Sequence, residues 1–305
     1  MPAESRRHFA KARCFTKRYS LMKENKNKNK VILLTVLLAF LFAAVMIYDS
    51  FFCVEKSAGE KECSIVFSDR AVMTDNEEKV AVTGKSAVIA EGGKYRISGK
   101  CAEGSLIIDT RDEDTVQLYM ENLELTNTED APVCILSCKN TEIFISGENK
   151  LEDGSAATAA EDRKSGCLYS RKDLSLEGDG SLYINAGYHH GISVRADLDC
   201  SLTNLQVTAA ANAIDVKDAL FINRGNIRLE AGGDGISAKN SEDADMGRVY
   251  IKGGNIQLRA ADDGISAEED IEISGGDIYI ECGDKLYNCD NNVSVAEGCV
   301  RGGSY

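Results

Sequence analysis

A five-residue pattern that returns every 22 residues constrains this chain more than any other feature. It reads His190-Gly191-Ile192-Ser193-Val194, then Asn212-Ala213-Ile214-Asp215-Val216, Asp234-Gly235-Ile236-Ser237-Ala238 and Asp263-Gly264-Ile265-Ser266-Ala267. The small residues are 22, 22 and 29 positions apart, and the long step holds the inserted run Lys239–Gly247. A degenerate copy reads Asp284-Lys285-Leu286-Tyr287-Asn288. Two further patterns keep the same beat. One is Asn204-Leu205-Gln206-Val207, Asn226-Ile227-Arg228-Leu229, Asn255-Ile256-Gln257-Leu258 and Asp277-Ile278-Tyr279-Ile280. The other is Leu198/Cys200, Leu220/Ile222, Val249/Ile251 and Ile271/Ile273. Each alternates apolar and polar residues, the signature of a strand with one buried face.

Three short strands per repeat, parted by Gly, Asn and Asp turns, make one triangular coil. A lone coil cannot bury its Ile/Leu/Val face, so coils must stack. The predicted fold is all-β, a right-handed parallel β-helix of about 22 residues per coil. The coils are most regular from Cys167 to Ile280 and looser before. Among the looser ones, Val133–Leu136 and Glu142–Ile145 read as strands and Gly147–Leu151 as a turn. Residues 152–166 read as an excursion from the solenoid.

One helix precedes this domain. Val31–Tyr48 is an apolar run of 18 residues, broken only by Thr35 before the terminal Tyr, and can just cross a bilayer. Of the 35 basic and 49 acidic residues, ten and two lie in residues 1–30, leaving 25 and 47 in the rest. The basic flank places the N-terminus in the cytoplasm and the acidic part outside it. A cleaved signal peptide is the competing reading, but the apolar run is long and no small-x-small site follows promptly. The expected layout is a basic tail at 1–30, a membrane anchor at 31–48, a linker at 49–63 and the β-helix at 64–305, C-terminally truncated. The acidic balance of the main domain disfavours nucleic acid and favours cations. Most of the 11 cysteines are expected as buried thiols, with Cys282, Cys289 and Cys299 the candidates for oxidation.

Stacking turns pattern positions into columns. The residue before Gly-Ile-Ser gives His190, Asn212, Asp234, Asp263 and Asp284, with Asp215 and Asp262 close by. Neighbouring carboxylates one coil apart repel by on the order of 3 kcal/mol at an effective dielectric near 20. A cation between them relieves this, and an oxygen-rich, His-poor set suits calcium. The alternative is that Asp and Asn simply favour these turns. Tyr183, Arg228, Gln257 and Tyr279, with Gln206, form an outward column, and Tyr250 a neighbouring one. Rings, amides and a guanidinium together suit sugar polymers, although tyrosine is also ordinary on exposed strands. His189-His190 reads as a turn, and no catalytic triad, phosphate loop or Cys-x-x-Cys is present.

Several stretches bring a family into view: Ser64–Asp69, Gly92–Gly99, Glu103–Asp109, Ser146–Asn149, Gly233–Ile236 with Gly253–Ile256, and Ala261–Ala267 running to Gly275-Gly276. They resemble the bacterial cell-surface carbohydrate-binding domain that has a pectate-lyase-like β-helix and whose founding member binds polygalacturonate and cellulose. The resemblance covers residues 64–290. It implies an extracellular, calcium-associated, non-catalytic sugar-binding module; polysaccharide is the expected partner and a monomer the expected state. It departs at Asp284-Lys285-Leu286, where the repeat breaks. A pectate-lyase-like enzyme and a structural adhesin are the alternatives.

Overall fold

The computed structural model describes residues 62–155, 164–243 and 245–305. The segments expected as basic tail and membrane anchor, and nearly all of the linker, lie outside the described residues. Among the described residues there is no helix at all, so none is long and apolar enough to cross a membrane. Every element is a strand, and almost every pairing is parallel.

The strands fall on three faces. The first carries His190–Val194, Ile214–Val216, Ile236–Ala238, Ile265–Ala267 and Tyr287–Cys289, paired in that order. The second carries Ala219–Ile222, Arg248–Ile251, Asp270–Ile273 and Asn292–Val295. The third carries Asn226–Ala231, Asn255–Ala260, Asp277–Cys282 and Val300–Ser304. These are the three expected strands per coil, and the architecture is that of a parallel β-helix.

The earlier coils differ in one respect. In several of them a single long strand turns the corner between second and third faces, as in Asp173–Ala186 and Leu198–Ala209. The two pair in register except for a shift between Gly178 and Ser181. Gly178 has φ 127°, and a Cβ there would run into the Ile145 carbonyl below it, so the corner needs glycine.

Burial explains why the coils stack. Ile192, Ile214, Ile236 and Ile265 form one inward column and each is fully buried. Leu205, Ile227, Ile256 and Ile278 form another on the third face. Burying one such side chain is worth about 1.5–3 kcal/mol, and each coil supplies a surface the next one covers. The N-terminal side of the stack is closed by Val72–Thr74 and Val80–Thr83, which pair antiparallel and cover the edges of the first strands.

Two expectations are corrected. Gly147–Leu151 is not a turn: Glu148–Asp153 is a strand, paired on one side with Thr115–Asn127 and on the other with Asp173–Ala186. The degenerate repeat is also one residue out. Ile265 pairs with Tyr287, which keeps the 22-residue step and puts Lys285, not Asp284, opposite Asp263. The helix then continues through Asn292–Val295 and Val300–Ser304, so the pattern does not break there. All nine described cysteines are free, Cys282, Cys289 and Cys299 among them.

Candidate functional site

The outward side chains of the third face form three parallel columns, one of them Thr208, Glu230, Arg259 and Glu281. The middle one runs Tyr183, Gln206, Arg228, Gln257, Tyr279. From Tyr183 to Tyr279 is four coil steps, or ~19 Å along the axis. Beside it runs a second column, Asn204, Asn226, Asn255, Asp277. Between the two lies a shallow groove of about 360 Å³, walled by Tyr183, Gln206, Arg228 and Gln257 on one side and the asparagines on the other. A smaller recess of about 90 Å³ continues it between Arg228, Gln257, Arg259 and Tyr279.

These side chains are held from within the face. Asn226 Nδ2 donates to Asn204 Oδ1 at 3.3 Å. Arg228 is oriented by Glu230 at 2.6 Å, Arg259 by Glu281 at 2.7 Å, and the Tyr279 hydroxyl donates to Glu281 at 2.7 Å. Amides offer both donors and acceptors, which is what sugar hydroxyls require. The asparagine column was not singled out from sequence as a site. Its signal was there, in the first position of the recurring Asn-Ile-Arg-Leu pattern.

Tyr250 does not belong with the other four. It lies on the second face, opposite Phe221 in register, and the two rings stack at 5.1 Å with an 8° interplanar angle. One face of the Tyr250 ring is therefore taken by its neighbour. Lys252 lies 5.8 Å from the Phe221 ring centre.

The five candidate metal ligands separate as well. Carboxylate oxygens of Asp234, Asp262 and Asp263 lie within 4.8 Å of one another. Asp215 and Asp284 are not part of that group. Asp215 accepts from Asn212 Nδ2 at 3.3 Å and faces Arg195 at 3.8 Å and His190 at 3.7 Å. Asp284 is exposed and sits one residue out of the column.

The column has a structural task too. Each member accepts the backbone N–H of the next coil: Nδ1 of His190 from Asn212, Oδ1 of Asn212 from Asp234, Oδ1 of Asp234 from Asp263, and Oδ1 of Asp263 from Lys285. The second oxygen of Asp263 accepts from Asn288 at 2.6 Å, and that of Asp234 lies 3.6 Å from Lys239. Burial raises the Asp234 pKa, and Asp263 and Asp262 add to this, against the pull of the Asp263 N–H and Lys239. His190 is half-buried, and its desolvation, with His189 and Arg195 nearby, pushes its pKa down to about 3. It is a neutral acceptor in the turn.

Residues 83–303 match the family of carbohydrate-binding domain-containing proteins. A carbohydrate-binding domain-containing protein of Acetivibrio thermocellus is 31% identical over 158 residues, which are 50% of this chain and 55% of that protein. The chain thus spans about half the length of this relative. Among solved structures, a gadolinium derivative of the polysaccharide lyase-like protein from C. thermocellum is similar, with a TM-score of 0.72 and 31% identity. The match covers 79% of this chain and 99% of that one.

Proposed function

This chain belongs to the family of carbohydrate-binding domain-containing proteins, and on that premise we propose that it is a membrane-anchored extracellular module holding a polysaccharide along its third face. Polygalacturonate or cellulose is the class of polymer in view. The observation that carries this reading is the groove walled by amides and a guanidinium from four successive coils. Its axis runs along the solenoid, so a linear chain meets an asparagine amide at each of three successive coils, from Asn204, Asn226 and Asn255. Residues 31–48 supply the anchor in this reading.

Calcium belongs to the proposal at Asp234, Asp262 and Asp263. The donor set fits a hard cation: all oxygen, three carboxylates, atoms within 4.8 Å. Bound there, calcium would supply a positive charge to which sugar carboxylates can coordinate. Asp234, Asp262 and Asp263 would hold the ion in place of the contacts that Lys239 and Asn288 make with Asp234 and Asp263.

The test is retardation of the full chain in affinity gels of polygalacturonate or soluble cellulose derivative, with and without EDTA. Retardation that weakens in Arg228→Ala/Gln257→Ala supports the groove. Unchanged mobility in both polymers, with and without EDTA, sinks the reading. A second reading, a lyase, draws on the closeness of Lys239 to this carboxylate cluster and on the name of the related structure. Release of unsaturated uronide, read by its ultraviolet absorbance, would decide for it.

A further inference from the structure

On the first face, the residue that follows each strand occupies one register position. It is Arg171, Arg195, Lys217 and Lys239 in four successive coils, then Glu268 and Asp290. Backbone bonds fix the rungs: the N–H groups of Arg195, Lys217 and Lys239 donate to Ser170, Val194 and Val216 one coil back at 2.8, 2.9 and 3.1 Å. Adjacent rungs therefore start ~4.8 Å apart. Beyond residue 30 the chain carries 47 acidic and 25 basic residues, so four cations in consecutive coils run against its composition. Like charges at that spacing repel.

The protein offsets this repulsion only in part. Arg195 and Lys239 face Asp215 and Asp234 at 3.8 and 3.6 Å, longer than a direct charged hydrogen bond. Arg171 donates to the neutral hydroxyl of Tyr169 at 3.5 Å. Lys217 holds a close carboxylate, Glu242 at 2.6 Å, delivered by the inserted loop and itself 78% exposed. Where the cations stop, a cavity of about 310 Å³ opens between Lys239, Ser241, Ser266, Asn288 and the acidic Glu268 and Asp290. Ser266 is fully buried there, and its hydroxyl has no hydrogen-bond partner.

We propose that Arg171, Arg195, Lys217 and Lys239 form a second binding track, which takes the carboxylates of a linear uronate polysaccharide lying along the solenoid axis. Successive units of a 1,4-linked uronate are turned about the chain axis, so the carboxylates on one side of the polymer meet the row. The Glu242 carboxylate on Lys217 occupies the place a sugar carboxylate would take. A single row of cations one coil step apart suits this polymer. It does not suit a nucleic-acid duplex, with one charge per ~1.7 Å. The track rests on the polysaccharide reading for its ligand class and is independent of the third-face groove.

The experiment titrates the full chain, in EDTA, with polygalacturonate, with a neutral 1,4-linked glucan and with an oligonucleotide, at low and raised salt. Arg195→Gln/Lys239→Gln is expected to lose polygalacturonate affinity at least tenfold and to flatten its salt dependence, with glucan binding and Tm unchanged. Glu242→Gln, which frees Lys217, is expected to bind polygalacturonate several-fold more tightly. Wild-type affinity in the double variant, no polygalacturonate binding in EDTA, or preference for the oligonucleotide would overturn the track. Glucan binding that survives Arg228→Ala/Gln257→Ala would instead overturn the third-face groove and leave the track standing.

Discussion

The backbone N–H of Asp263 donates to Oδ1 of Asp234, one coil away, at 3.2 Å. The bond ties two coils together at the turn before the first face, where the register bonds of the strands have not yet begun. Asn212 does the same for Asp234 at 2.9 Å, so a carboxylate is not required for the task. Asp234→Ala removes the acceptor and leaves a buried N–H unpaired, at a cost of about 1–2 kcal/mol. Asp234→Asn keeps an acceptor and sheds a charge that burial disfavours, and should match or exceed wild-type stability without calcium. Chemical denaturation of the three proteins in EDTA measures this. Equal losses in both variants would refute the capping role.

Asp262 separates ligand from cap. It is exposed, whereas Asp234 and Asp263 are buried and accept backbone N–H groups. If the three carboxylates hold calcium, the ion stabilises the folded state by about 2.7 kcal/mol at a hundred times its dissociation constant. Asp262→Asn should keep the calcium-free Tm and lose most of the calcium-induced rise. Asp284→Asn, one residue out of the column, should keep that rise in full. A rise retained by Asp262→Asn would remove the cluster from consideration.

The solenoid was readable because its repeat lies in single letters: Ile192, Ile214, Ile236 and Ile265 each mark the same inward position. Asp284 misled because Asp is what the column usually holds, whereas the strand pairing of Tyr287 obeys the 22-residue step and selects Lys285. The sequence sets Tyr250 in a column beside that of Tyr279, but letters alone do not say that a corner of the coil parts the two. The cation track was hidden differently. Arg171, Arg195, Lys217 and Lys239 are 24, 22 and 22 residues apart, but each follows a strand rather than lying within the repeated pattern. Side-chain pairing such as Glu242 on Lys217 depends on where an inserted loop folds back, which no periodicity encodes.

The Tyr250–Phe221 stack makes an opposite forecast from the Tyr residues of the third face. A parallel pair at 5.1 Å within a strand ladder contributes about 0.5–1 kcal/mol. Tyr250→Ala should therefore lower stability by about that amount and leave polysaccharide affinity unchanged. Tyr279→Ala removes an exposed ring that lines the recess beside Arg228, and should weaken binding with little loss of stability. Parallel urea melts and affinity gels on both variants check the pair. Weaker binding in Tyr250→Ala would return the second face to the site.

His190 makes stability depend on pH. Its side chain is 12% exposed, and its Nδ1 accepts the Asn212 N–H, which an unprotonated nitrogen alone can do. Burial, with help from His189 and Arg195, lowers its pKa from 6.5 to about 3. Below pH 6.5 the unfolded chain takes up a proton here that the folded chain refuses. The stability due to this group is therefore complete above pH 6.5 and drains away as pH falls towards about 3. The loss is about 1.4 kcal/mol for each unit of the depression. Asp215 and Asp234 act in the opposite sense. Burial raises their pKa values, so they favour the folded state more as the solution is acidified. A His190→Asn variant, with the residue the next coil uses, isolates the histidine. Urea midpoints measured from pH 7.5 to pH 4.5 should fall for the wild type relative to His190→Asn, with the gap opening below pH 6.5. Curves that stay parallel across that range would mean that the ring is protonated as readily in the folded protein as in water.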